Sequence, residues 1–476
     1  MKILSELIND LEIIKIDGDT SKNISSVHFD SRHQEKQSAF VAIKGSSQNG
    51  HNFIDEAIRN GATTIVYQEM DQKKLTDITY IRVKDSRIAL ASLIQNFYDN
   101  PSKKLRLVGV TGTNGKTTTV TVLFQLFKIL GYPSALFSTI ENKINDQTYV
   151  SSGTTPDPVT LTSFLNQAVN HGCQYAFMEC SSHAIDQKRI AFLNFAGAIL
   201  TNLTHDHLDY HKTMKAYGES KKAFFDALSE DAVAVTNQDE DINDYILSET
   251  KAKKYFFSLK NIDMSQSMEG LRFRYDGEIF TTKLIGTFNA YNIVGAYILA
   301  KLFGISKHDL IQAIPLVRPP AGRMEIYKSK TNVYGIIDYA HTPDALEQSL
   351  NTVREIAPRD AKIITVVGSS GQSDSLKRPL MGKIAYDLSD YIVFSSDNPR
   401  NEDPEQILKD MIRDLPSNND KYVRESNRKK AVDLAYERAA PGDVIFLAGK
   451  GHENYQIIGE QKIPYSDREE WKIRAQ

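Results

Sequence analysis

The stretch VGVTGTNGKTTTV, residues 108–120, constrains this chain more than any other. Its glycine-rich loop follows an apolar run, Leu105 to Val110, that reads as a buried strand. Behind it, Val120, Leu123, Phe127 and Leu130 repeat at the spacing of one helix face, and Gly131 is placed to stop that helix. Strand, glycine-rich loop and helix in that order are the anatomy of a phosphate-binding loop in a parallel α/β sheet. Gly112 and Gly115 let backbone N–H groups turn inward around phosphate oxygens. Lys116 is long enough to reach the terminal phosphates, and Thr117 offers a hydroxyl to Mg²⁺. The helix N-terminus adds favourable partial charge for an anion. The spacing G-x-x-x-x-G-K-[ST] would put glycine at 110, where this chain has Val110. A chance glycine-rich turn is the weaker account, because it explains neither the Gly-Lys-Thr order nor its setting.

The strand–helix rhythm extends well beyond the loop. At roughly 100–200 residues per domain, 476 residues suggest about three domains. Asn100-Pro101-Ser102 breaks the pattern before the loop's strand, and Pro315, Pro319, Pro320 and Gly322 break it again. We therefore expect α/β domains at 1–100, 101–318 and 319–476, the central one with a mostly parallel sheet. Strands are expected at 39–43 and 63–67, and near 333–338, 362–367, 391–395 and 443–448. Lys and Arg total 57 against 60 Asp and Glu, a net charge of −3 that gives no bulk attraction to nucleic acid or an anionic membrane. The two cysteines, Cys173 and Cys180, make no disulfide framework. Met1 to Glu6 lack the apolar core of a signal peptide, and no run approaches ~18 apolar residues. The expectation is a monomeric cytoplasmic protein that binds neither nucleic acid nor membrane.

Polar clusters recur where apolar runs end. Besides the phosphate loop, Glu179-Cys180-Ser181-Ser182-His183 follows YAFM, and Thr201-Asn202 follows GAIL. Further on come Asp338-Tyr339-Ala340-His341, then Asp397-Asn398-Pro399-Arg400 after Ile392 to Phe394, then Gly449-Lys450-Gly451-His452-Glu453 after DVIFLA. Open α/β sheets bind ligands at the carboxyl ends of their strands, so this recurrence points to sites rather than to surface turns. DNPR alone would read as a turn, since Asp, Asn and Pro are turn formers. Its sharper reading is a grip on a ligand with both carboxylate and ammonium groups. Glu179 ends its strand near the phosphate loop and is a suitable hard-oxygen ligand for Mg²⁺. The cluster of His205, Asp206, His207, Asp209 and His211 invites a zinc reading, against which solvated or core histidines weigh more.

Together these motifs carry a family resemblance. TGTNGKT looks like the variant loop of the ATP-dependent Mur ligases and their relative folylpolyglutamate synthase. DSR at 30–32, TTPDP at 154–158, MECSSHAIDQKR at 178–189, TNLTHDHLDYHKTM at 201–214 and GTFNAYN at 286–292 resemble motifs of the Mur ligases that add the third amino acid of the peptidoglycan precursor. So do AGRMEI at 321–326, DYAHTPDAL at 338–346, KRPLMG at 377–382, DNPR and GKGHENYQ, and the whole set runs in family order from residue 30 to 456.

The resemblance implies an ATP-dependent amide-bond ligase: ATP phosphorylates a substrate carboxylate, and an amine attacks the acyl phosphate. It implies a UDP-binding first domain, a P-loop-type ATPase domain and a Rossmann-like last domain that brings the amine. ATP would be bound by Thr111, Gly112, Thr113, Asn114, Gly115, Lys116, Thr117 and Thr118, with Asn292, Arg323 and Asp338. Lys116, His207 and Lys221 would be catalytic. Lys221, as a carbamate, would join Thr117 and Glu179 in holding Mg²⁺, while Lys222 is expected on a solvated helix face. Ser31, Ser46, Ser47 and Gln48 would contact the uridine diphosphate, and Thr154, Thr155, Ser181, Gln187 and Arg189 the muramoyl dipeptide. Gly153 departs from relatives that carry Asn. Asp397, Asn398, Pro399, Arg400, Gly449 and Glu453 match a diaminopimelate pocket. There Arg400 would fork onto the distal carboxylate that lysine lacks, and Asp397 and Glu453 would hold ammonium groups. Relatives carry Arg where this chain has Ser373, which leaves Arg378 or Lys377 to compensate. The implied partners are UDP-N-acetylmuramoyl-L-Ala-D-Glu and a diamino acid, meso-diaminopimelate ahead of L-lysine or another diamine. A non-catalytic UDP-sugar-binding relative is disfavoured, since a scaffold has no use for Lys116, Thr117, Glu179, His207 and Lys221 together. A nucleic-acid motor is disfavoured by the charge and the loop spacing.

Overall fold

The computed structural model describes residues 1–476 except 34, 46–47, 70–73, 152, 418–419 and 476. Three sheets follow one another along the chain. The first has five strands in the order Ile13–Asp17, Thr79–Val83, Ala62–Tyr67, Ser38–Val41 and Val27–His28, parallel except at the first pairing. The second has eight, and Arg106–Thr111 runs inside it between Tyr175–Glu179 and Phe195–Leu200. Its Ser134–Phe137 edge continues into Glu141–Ile144 and Gln147–Val150, paired antiparallel, while its other pairings are parallel. The third has six, ordered Glu325–Lys328, Tyr334–Asp338, Val444–Ala448, Ile363–Val367, Tyr391–Ser395 and Tyr422–Glu425, with only the first pairing antiparallel.

The helix after the phosphate loop, Lys116–Ile129, ends where Gly131 takes φ +84. Val120, Leu123 and Phe127 are fully buried, but so are Val122 and Leu126 on another face. The single apolar face expected from spacing is thus too narrow a description. The helix lies between its own sheet and helix Thr287–Leu302, and helices covered on both sides lose their polar face. An antiparallel sheet of Met264–Ser267, Gly270–Tyr275 and Glu278–Thr282 has no counterpart among the expected elements. Only Leu271, Phe273 and Phe280 carry its apolar signal into the core, too few to stand out in a polar stretch.

Candidate active site

The phosphate loop is shaped by crowding. A Cβ on Gly112 would lie 1.8 Å from Thr201 Oγ1, and one on Gly115 would lie 2.5 Å from Asn292 Oδ1. Both glycines hold positive φ, +150 and +86, so neither position accepts a side chain. Thr201 and Asn202, at the end of the neighbouring strand, brace the loop: Thr201 Oγ1 donates to Asn114 O at 2.6 Å, and Asn114 N donates to Asn202 Oδ1 at 2.9 Å. Lys116 Nζ donates to the Gly112 and Thr113 carbonyls, each at 2.8 Å, and burial pushes its pKa down. Thr117 Oγ1 donates to Glu179 Oε1 at 2.9 Å and accepts from Arg323 at 3.2 Å. Arg323 Nε is buried and has no partner. A hydroxyl and a carboxylate so close are the hard donors Mg²⁺ prefers, and the unpaired Nε leaves a donor for a phosphate oxygen beside them, so these residues fit metal and nucleotide.

Helix Met214–Asp226 brings Lys221 to the same region. Lys221 is 1% exposed, with Nζ 4.4 Å from the Tyr217 ring centroid, and Tyr217 reaches Thr113 Oγ1 at 3.1 Å. Burial, and then the Lys116 charge, hold the Lys221 pKa far below that of a free lysine. Lys222, expected in solvent, is instead paired with Asp226 and Glu249 at 2.8 Å each. His207 takes φ +55, its Nε2 is 3.5 Å from Asp206 Oδ2, and burial pushes its pKa down to about 4 despite that carboxylate. It packs edge-on against His183, which also contacts Tyr210 and His211; His183 belongs to the polar cluster after YAFM but has no role of its own assigned from sequence. His205 is exposed, and among the described residues no group of three or more His, Cys, Asp and Glu could hold a metal ion.

A cavity of about 370 Å³ opens between the second and third sheets. Asn114, Gly115, Thr118, Asn292, Arg323 and Asp338 line it, which unites expected ATP residues from distant segments. Thr111, Gly112, Thr113, Lys116 and Thr117 are not among its lining residues. Asp338 Oδ2 accepts from Met324 N at 2.7 Å, and burial raises its pKa. Asp344, not foreseen, ties the two sheets together: its Oδ2 accepts from Asn114 Nδ2 at 2.9 Å and Thr204 Oγ1 at 3.3 Å.

A second cavity, of about 870 Å³, lies between the first sheet and the second. Ser31, Gln48, Gln187 and Arg189 line it, with Arg32 and Arg87 as further cations. Ser46 and Ser47 lie outside the described residues. Thr154, Thr155 and Ser181, expected at the muramoyl dipeptide, are not among the residues lining this cavity. Thr155 Oγ1 donates to Glu179 O at 2.8 Å and accepts from Ser181 N at 3.0 Å, while Ser181 Oγ caps a short helix at Ala184 N. Thr154 Oγ1 accepts from Thr139 Oγ1 at 3.1 Å. Their hydroxyls support Glu179 and its surroundings.

The DNPR turn ends strand Tyr391–Ser395, and Asp397 and Asn398 are buried. Arg400 adopts φ +55 because hairpin Tyr455–Ile458/Gln461–Pro464 clasps its backbone: Arg400 N donates to Ile457 O at 2.9 Å, and Gly459 N to Arg400 O at 2.7 Å. Gln456 Nε2 adds a bond to Asp397 O at 2.8 Å. Asp397 and Glu453, expected to hold a ligand's ammonium groups, both face Lys450. Lys450 Nζ is 3.5 Å from Asp397 Oδ1, bonds Glu453 Oε2 closely, and donates to Asn398 Oδ1 at 2.9 Å. Arg378 does not compensate for Ser373. It is 3% exposed, bound to Glu402 at 2.7 Å and Asp410 at 2.9 Å, while Lys377 Nζ donates to His341 O.

Comparison with known proteins agrees with this layout. Residues 23–98 match the Mur ligase family catalytic domain, 110–300 the Mur ligase middle domain, and 322–451 the Mur ligase glutamate ligase domain. The chain is similar to the UDP-N-acetylmuramoyl-L-alanyl-D-glutamate–2,6-diaminopimelate ligase of Cytophaga hutchinsonii, at 45% identity over 98% of this chain and 97% of that one. It is 41% identical to the ligase of the same name from Bacteroides thetaiotaomicron, over 98% of each chain. A solved structure of a ligase of that name superposes with a TM-score of 0.70 at 29% identity, covering 100% of this chain and 98% of the other.

Proposed function

The chain belongs to the Mur ligase family, and on that premise we propose that it is the ATP-dependent, ADP-forming ligase that joins meso-diaminopimelate to the D-Glu carboxylate of UDP-N-acetylmuramoyl-L-Ala-D-Glu. The observation that carries this reading is the 45% identity, over nearly the whole chain, to a ligase named for that amine.

Residues 1–100 hold the UDP moiety, 101–318 the nucleotide and the reacting carboxylate, and 319–476 the amine. Lys116 leaves its loop carbonyls to meet the terminal phosphates, and Arg323 adds a second cation from the last sheet. Thr117, Glu179 and Lys221 are the residues that would hold Mg²⁺, which supplies charge neutralisation at the phosphates when bound. Lys221 is suited to carbamylation because burial and the Lys116 charge lower its pKa and so favour the neutral amine, the form that adds CO₂ and releases a proton. His207 is neutral at physiological pH and orients groups by hydrogen bonding rather than by charge. Asn292 and Asp338 seat the nucleoside, and Ser31, Gln48, Gln187 and Arg189 the UDP substrate. The amine attacks the acyl phosphate where the two sheets meet, away from bulk water. Among the described residues no helix is long and apolar enough to cross a membrane.

L-Lysine is the competing amine, and one observation favours it: Ser373 stands where the family resemblance implies Arg, and Arg378 is held by Glu402 and Asp410. The test is ADP release by the purified chain with the UDP-dipeptide, ATP and a panel of diamino acids. Turnover with lysine equal to or above that with diaminopimelate overturns the assignment.

A further inference from the structure

The amine pocket contains an ammonium of its own. Lys450 is 0% exposed, an unusual state for lysine. It is driven inward by the loop around it, where Gly449 and Gly451 hold φ +106 and +51. A Cβ on Gly451 would sit 2.7 Å from Tyr339 Cβ, so the backbone has no latitude to turn Lys450 outward. Its Nζ meets Asp397, Glu453 and the Asn398 carbonyl together, and Asn398 Nδ2 closes the ring by donating to Glu453 Oε2 at 2.9 Å. Ser370 Oγ fixes the other Asp397 oxygen at 2.8 Å. Arg428, which also lies near Asp397, is neutralised by Asp467 at 2.8 Å. The cluster itself holds two carboxylates, Asp397 and Glu453, against one ammonium, Lys450; the nearby cations are Arg400, whose guanidinium donates to Gln372 O at 3.2 Å, and Arg323, 4.6 Å over the Tyr339 ring.

We propose that Lys450 is the charge-balancing specificity residue of the amine pocket. This inference rests on the diaminopimelate reading above. Diaminopimelate at neutral pH carries two carboxylates and two ammonium groups, net zero, whereas lysine and ornithine carry one net positive charge. A pocket balanced by Lys450 has no net attraction for an extra cation. Remove that charge and the two carboxylates, one of them already anchored by Ser370, present an unpaired negative charge that recruits the cationic amine. Lys450 thus acts as a positioning residue through Asp397 and Glu453, and it excludes lysine by charge rather than by shape.

The experiment measures kcat/KM of the full-length enzyme for diaminopimelate, lysine and ornithine in wild type, Lys450→Met and Glu453→Gln. Lys450→Met keeps the volume and removes the charge; the diaminopimelate-to-lysine ratio is expected to fall by at least about tenfold. Glu453→Gln makes the pocket more positive, and the same ratio is expected to rise. A purely structural role lowers all three amines in parallel, and parallel loss in both variants overturns the proposal. If Lys450→Met does not fold, the Glu453→Gln arm decides alone, since that replacement is isosteric and keeps an acceptor for Lys450 Nζ and Asn398 Nδ2. Wild-type turnover with diaminopimelate is scored separately: its absence sinks the parent reading, whereas its presence with unmoved ratios sinks only this one.

Discussion

The phosphate loop and the amine pocket both sit at strand ends of largely parallel sheets, yet they are made of different materials. The phosphate loop is backbone: two glycines pressed against Thr201 and Asn292, with amides and carbonyls tied to Asn202 and Lys116. The amine pocket is side-chain charge drawn from segments more than fifty residues apart: Asp397, Asn398, Lys450 and Glu453. A backbone site fails when a Cβ or a key cation changes, because its geometry has one solution. A charge site keeps its shape under substitution but changes what it prefers. Chemistry should therefore be lost at the first, and selectivity altered at the second.

The largest effect is expected from Lys116→Ala. One cation on a transferring phosphoryl group is worth about a thousandfold or more in kcat, while calorimetric binding of the UDP-dipeptide should stay within a few-fold of wild type. An activity loss of only a few-fold would contradict the loop's catalytic role. Next comes Asp467→Ala. Arg428 and Asp467 are both fully buried, joined by two hydrogen bonds at 2.9 and 2.8 Å, and Arg428 also donates to Ala448 O, next to Gly449. Stranding that guanidinium should cost about 3–5 kcal/mol, read from urea unfolding of the C-terminal region. In whatever folded protein remains, KM for the amine should rise while KM for ATP stays put. Asp344→Ala removes the carboxylate shared by Asn114 and Thr204. Losing these two hydrogen bonds, the Thr204 one long at 3.3 Å, should cost about 1 kcal/mol, raise KM for ATP about fivefold and leave the amine preference unchanged. A change in that preference would erase the division between the two sites.

The same division explains what could be read from sequence. The phosphate loop was legible because its determinants are contiguous: glycines, lysine and threonine stand in one heptapeptide between a strand and a helix. The parallel strands were legible as short apolar runs, while the sheet at 264–282 was not, because only three core residues mark it. Ser31, Gln187, Arg189, Asn292, Arg323 and Asp338, expected at ligands, line the two cavities. Thr155 and Ser181 do not line them; the first bonds the Glu179 carbonyl and the second caps a helix, uses of a hydroxyl that look like ligand binding in sequence. Lys450 was visible in GKGHE, but a lysine between glycines gives no sign that it will be buried against two carboxylates. That outcome depends on Asp397, Asn398 and Tyr339, all far away in the chain. Ser373 invited Arg378 as its substitute, and only the geometry reveals that Glu402 and Asp410 already hold it.

The smallest expected effect sharpens the comparison through pH. Each site holds a histidine of depressed pKa. His207 near the phosphate loop is pushed down to about 4 by burial, with Lys116 adding to it. His452 in the amine pocket is pushed down to about 3 by burial, then by Arg323 and Lys450. Its Nδ1 is buried without a partner. In the unfolded chain either ring takes a proton near 6.5, but the folded protein refuses it until pH 4 or below. The unfolded state therefore binds more protons between those values, and stability present above pH 6.5 declines as pH falls through that window. Urea midpoints measured at pH 7 and pH 5 should show that decline in wild type. His452→Gln should flatten it, and so should Lys450→Met by relieving the repulsion on His452, whereas Lys116→Ala should flatten it only through His207. If the Lys450 and Lys116 effects were additive in a double variant, the two sites would be electrostatically separate as well as chemically distinct, because groups without shared partners contribute independently.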